Sequence, residues 1–76
     1  MTLNNAQAHF LRSNGIEYVR VGRTDYFYKS DRWLMTTDAD DTIWFMEYST
    51  HQDGDGERCI DTFTDLKRAI RALLSN

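Results

Sequence analysis

The spacing of turn-forming residues constrains this chain most. Gly22-Arg23-Thr24, Ser30-Asp31 and Asp38-Ala39-Asp40-Asp41 cut it into strand-sized runs, and His51-Gln52-Asp53-Gly54-Asp55-Gly56 makes a longer polar break. The runs between them, 17–22, 25–29, 32–37, 42–49 and 57–61, alternate or are rich in aromatic and β-branched residues, so each predicts a strand. The first three connections are far shorter than the dozen or so residues that a parallel crossover needs. Consecutive strands must therefore pair antiparallel, as a meander of four to five strands.

A helix is expected at each end. Residues 4–14 carry Ala6, Phe10 and Leu11 on one stripe, with Asn4 or Asn5 as cap and Gly15 at the left-handed terminating position. Near the C-terminus, Phe63, Leu66, Ala69, Ile70, Leu73 and Leu74 form an apolar face, opposite Lys67, Arg68 and Arg71. Thr62 and Asp65 suggest a capping box at its start. Each helix has one apolar stripe and must lie on the sheet. The reading is an α+β fold of order α-β-β-β-β-β-α, with both helices on one face and all 76 residues in one small domain.

Two helices on one face leave the other open. One arrangement puts Val19, Val21, Phe27, Ile43, Phe45 and Ile60 under the helices, leaving Tyr18, Tyr26, Tyr28, Trp44, Met46 and Tyr48 outside. Register is not set by sequence, and any one strand can be inverted. Ten residues are Phe, Tyr or Trp, a large load for a domain of this size, so an aromatic surface is expected to remain.

Charge is uneven. The formal net charge is −3, yet residues 38–61 hold eight acids against Arg58 alone. Asp38, Asp40 and Asp41 lie in one loop. Asp53, Asp55 and Glu57 lie in or beside another, at the opposite end of the strand between them. Such carboxylates address a basic surface.

Catalytic and cofactor signatures are not evident. Counted from Asp53, a calcium loop would need Gly where Arg58 stands and Glu where Thr64 stands. His51, Cys59 and Asp61 have the residue types of a nucleophilic site but no signature around them. One cysteine excludes an internal disulfide. With no apolar run near the 18 or so residues of a membrane span and no secretory leader pattern, the expectation is cytoplasmic.

The functional expectation is a small acidic, non-enzymatic binding protein without cofactor or metal. Its sharper form is a phage or mobile-element inhibitor, anti-CRISPR-like or anti-restriction-like, that blocks a nucleic-acid-handling host protein. Asp38, Asp40, Asp41, Asp53, Asp55 and Glu57 would pair with the partner's Arg and Lys, and Tyr26, Tyr28 and Trp44 would anchor the contact. One alternative is a nucleic-acid module using the aromatic face with Arg20, Arg23 and Arg32. Another is a homodimer pairing its open faces.

Overall fold

The computed structural model describes residues 3–51 and 54–75, with side chains at all of these except 49–51, 54 and 55. The chain runs α1 (Asn5–Ser13), β1 (Glu17–Val21), β2 (Thr24–Lys29), β3 (Arg32–Thr37), β4 (Ile43–His51), β5 (Gly54–Phe63) and α2 (Leu66–Leu74). The strands form one sheet in chain order, and every neighbouring pair is antiparallel. This is the expected meander between two helices.

Both helix starts are capped by side chains. The Asn4 carboxamide accepts from the Gln7 N–H at 2.8 Å, and the Gln7 side chain accepts from the Asn4 N–H at 3.0 Å, which closes a capping box. At the other end Gly15 takes φ +73°. There its N–H donates to Arg12 O and that of Ile16 to Leu11 O, while Ile16 itself turns into the core. Helix α2 begins later than the Thr62 cap implied. Asp65 is the N-cap, accepting from the Lys67 N–H at 3.2 Å. Thr62 and Phe63 stay in β5, opposite Trp44 and Ile43. Asp outranks Thr as a cap, and Phe63 gains a ring contact with Phe45 at 6.4 Å by remaining in the strand.

The core lies between the helices and one sheet face. Its buried members are Leu11, Ile16, Phe27, Leu34, Ile43, Phe45, Ala69 and Leu73, with Phe27 and Leu34 wholly inaccessible. Pairing places Tyr18, Phe27, Leu34 and Phe45 side by side across four strands. Below that row run Lys29, Arg32, Glu47 and Arg58. Glu47 accepts from Arg58 Nε at 3.0 Å and has Arg32 Nε at 3.4 Å, so an acid at a core-facing parity is compensated at the sheet margin.

Two features of the expected faces are corrected. Strand β1 is inverted: Tyr18 packs its ring on Phe27 at 5.1 Å, on the helix side, so Val19 and Val21 face out. In β5 a bulge pairs Phe45 with Asp61 but Met46 with Cys59, leaving Ile60 unopposed. Ile60 is therefore exposed rather than under the helices, and Cys59 is exposed beside Met46. No described helix is long and apolar enough to cross a membrane.

The β2–β3 turn holds one strained residue. Ser30 sits at φ +57°, where a Cβ crowds the following carbonyl. Ser30→Gly is expected to stabilise the protein by about 0.5–1 kcal/mol, seen as a rise of a few degrees in Tm. An unchanged or lower Tm would show that the serine side chain compensates its own strain.

Candidate functional site

Five strands alternate their side chains, and the helices cover only one set. The other face presents Val19, Tyr26, Tyr28, Trp33, Met35, Trp44, Met46 and Tyr48 in adjoining register positions. Tyr26 and Tyr28, two apart on β2, stack with centroids 5.7 Å apart and planes 14° off parallel. Tyr28 meets Trp33 across the strand pair at 6.0 Å. Trp33 is buried to 7% exposure although it lies outside the core cluster, so its neighbours on this face cover it. Trp44 and Tyr48 remain 36% and 46% exposed, and Val21 61%. The sequence-predicted anchors Tyr26, Tyr28 and Trp44 thus share one surface. Trp33 and Tyr48 join them. Parity along β3 and β4 carried that information once the register was known.

The charge on this face has one sign. Glu17 lies opposite Tyr28, and Glu57 opposite Tyr48, at the two margins. Burial, then Tyr26, Glu57 and Glu17, push the Tyr28 phenol above its ordinary pKa. No described strand residue on this face is basic. Arg20 and Arg32 project to the helix side and are ion-paired there, and Arg23 sits in the β1–β2 turn. The combination of exposed rings with Arg20, Arg23 and Arg32 is therefore not what the sheet presents.

The acidic loops do not come together. Asp38, Asp40 and Asp41 stand where β4 begins, whereas Asp55 and Glu57 lie in β5 opposite Thr50 and Tyr48, because most of the stretch expected as loop 51–56 is strand. From Ile43 to Tyr48 and Thr50 is five to seven residues of strand, about 17–23 Å. Past Tyr48, β4 pairs only with β5, so 49–51 and 54–56 form a two-stranded extension of the sheet. Asp53 lies outside the described residues, as does the side chain of Asp55. Of the first loop, Asp38 is engaged by Arg20 Nη2 at 2.5 Å, and Asp40 accepts from the Thr42 N–H at 2.9 Å. Asp41 is exposed.

One cluster escaped the sequence reading. Asp25 is 2% exposed on the helix side of β2. The Tyr18 hydroxyl donates to Asp25 Oδ1, and Arg20 Nη1 reaches both carboxylate oxygens at 3.0 and 2.9 Å. Burial pushes the carboxyl pKa up, but the hydrogen bonds from Tyr18 and Arg20 outweigh it, leaving the pKa below the ordinary value. Tyr18 is shifted upward by burial and then by Asp25. An acid two residues from Phe27 in a strand was the available signal, because that spacing puts both on one face.

Nothing nucleophilic assembles around Cys59, whose thiol donates to the Asp61 carbonyl at 3.2 Å. The His51 side chain lies outside the described residues. Among those described, no group of His, Cys, Asp and Glu could hold a metal. Comparison with known families, curated proteins and solved structures finds no match for this chain.

The Asp25 cluster makes stability depend on pH in two directions. Its carboxyl is depressed in the folded state, so its contribution is present above about pH 4 and is lost as acid protonates it. The Tyr18 phenol is raised, so its contribution is present below about pH 10 and is lost as pH climbs further. Asp25→Ala is expected to cost about 2–3 kcal/mol at pH 7, with the loss shrinking toward pH 3. Denaturant titrations of both proteins across pH check this, and a pH-independent difference would overturn it.

Proposed function

We propose that this chain is a small non-enzymatic binding protein that seats the open face of its sheet on another protein. The observation that carries the reading is a sheet face with exposed Trp44 and Tyr48, bordered by Glu17 and Glu57 and free of basic side chains among its described residues. Rigid aromatic side chains at the centre and charges at the rim are the anatomy of a protein contact. The partner it fits has an apolar patch ringed by Arg and Lys.

Such rings of cations hold phosphates in nucleic-acid-handling proteins. The finer proposal is that this chain blocks one of them, as an inhibitor encoded by a phage or mobile element would. Glu57 and the acidic loops steer the approach, and the rings make the desolvated contact. The homodimer reading is less favoured, because two copies face to face would bring Glu17 and Glu57 against like charge with no base to offset them. Direct nucleic-acid binding is less favoured because the same acids would meet phosphate.

The test compares the native protein with Trp44→Ala/Tyr48→Ala in affinity capture from bacterial lysate, with and without competing DNA. The expected result is a basic nucleic-acid-handling protein retained by the native chain, released by DNA, and lost by the variant while its melting curve is kept. Retention equal in both proteins would move the contact elsewhere. A salt-sensitive gel shift with nucleic acid alone would replace this reading with direct binding.

A further inference from the structure

The helix layer has a chemistry opposite to that of the open face. Neither α1 nor α2 contains an Asp or Glu, whereas Arg12, Lys67, Arg68 and Arg71 lie on them. Between the helices runs a groove of about 540 Å³ above Phe27. That volume falls within the range of about 300–1,000 Å³ usual for small-molecule sites.

The groove exists because α2 has more apolar surface than the sheet covers. Ala69 and Leu73 are buried against the core. Leu66, Ile70 and Leu74, four residues apart, form a second ridge that is only half-buried and lines the groove. Leu3, Ala6 and Phe10 line the other side, and Phe10 is 48% exposed. Packed helices ordinarily interlock such ridges. Here the space between them is open.

Polar groups on the lining are few. Asn4 and Gln7 satisfy each other in the capping box. Lys67 and Arg71 also line the groove, one turn apart on α2. Neither side chain has an ion pair or hydrogen bond among the described residues. Their Cβ atoms are about 5–6 Å apart by helix geometry, close enough for both to reach one headgroup. The site therefore offers one cationic spot and is otherwise hydrocarbon, over the length of nine-residue helices, about 13 Å.

We propose that this groove binds a monomeric single-chain amphiphile with an anionic head, of the fatty-acid class. The alkyl chain lies between the Phe10 and Ile70 ridges, and Lys67 and Arg71 hold the carboxylate. This site is on the opposite side of the sheet from the protein contact, and neither proposal depends on the other.

The experiment is calorimetric titration of the full chain with dodecanoate below its micellar concentration, with dodecyltrimethylammonium as the cationic control. Amide NMR shifts locate the site. Expected are one dodecanoate per chain, a raised Tm, shifts centred on Phe10, Lys67, Ile70 and Arg71, and no comparable binding of the cation. Lys67→Gln/Arg71→Gln should weaken binding tenfold or more with the fold intact, since both side chains are exposed. Phe10→Ser, also at an exposed position, should weaken it without altering head selectivity. Equal binding of both amphiphiles, unchanged affinity in the double variant, or shifts centred on Trp44 and Tyr48 would overturn the proposal. So would binding only to phosphatidylglycerol vesicles, which would make the helix layer a membrane-contact surface instead.

Discussion

The buried carboxylate of Asp25 sets the arrangement of the rest. A charge withdrawn from water costs several kcal/mol unless partners replace the solvent. Tyr18 and Arg20, which bond it, both come from β1. They can reach Asp25 only if β1 turns them to the helix side. Because strand side chains alternate, that choice sends Glu17, Val19 and Val21 to the other face in the same step. One acid thus selects the parity of an edge strand, supplies Tyr18 as the ring against Phe27, and puts an apolar pair and a carboxylate on the open side. Arg20 extends the cluster to Asp38, which ties the loop before β4 to the opposite edge of the sheet.

Meander topology explains why the open face is aromatic. Two nine-residue helices can cover one side of five strands and no more. A face left in water still has to hold strands together, and cross-strand ring pairs do this without a covering layer. Trp33 shows the effect: Tyr28 on one side and Met46 on the other, both opposite it in register, accompany its near-complete burial. Trp33 is thereby withdrawn from water at the centre of the face, and Tyr28, Trp44, Tyr48 and Val21 are its most accessible large apolar side chains. Pre-ordered rings lose little conformational freedom on docking, which favours the protein contact proposed for this face.

Element order, antiparallel pairing and the placement of Tyr26, Tyr28, Trp44, Met46 and Tyr48 were legible from turn spacing and alternation alone. What was not legible depended on partners distant in sequence. Tyr18 and Val19 are both acceptable in a core, so β1 had two apolar-enough faces, and only Asp25 decides between them. Glu47 looks misplaced beside Ile43 and Phe45 until Arg32 and Arg58 are found on the neighbouring strands. Ile60 would face Phe45 in the register that Met46–Cys59 and Glu47–Arg58 follow, but the bulge gives that place to Asp61 and leaves Ile60 unopposed. The separation of the two acidic segments along β4 was legible, but not that Asp55 and Glu57 continue β5 rather than stand in or beside a loop. Chain-local charge density identified the loops and could not show that Asp38 is held by Arg20.

The net charge of −3 conceals a division of the molecule. Acids border the aromatic face, and the helices carry four bases, with Asp65 at the cap of α2 as the acid beside them. An anionic partner approaching the sheet side is repelled at its margins, while the same partner approaching the helices is not. A cationic partner meets the reverse. The sheet separates the two surfaces, so ligands of opposite charge can be accommodated together without competing for one set of contacts. The two surfaces meet at one strand. Phe27 lies beneath the helix groove, and its chain neighbours Tyr26 and Tyr28 stack on the opposite face. Asp25 stands on that same strand, so the floor of the groove and the stacked tyrosines share the segment whose buried charge Tyr18 and Arg20 hold.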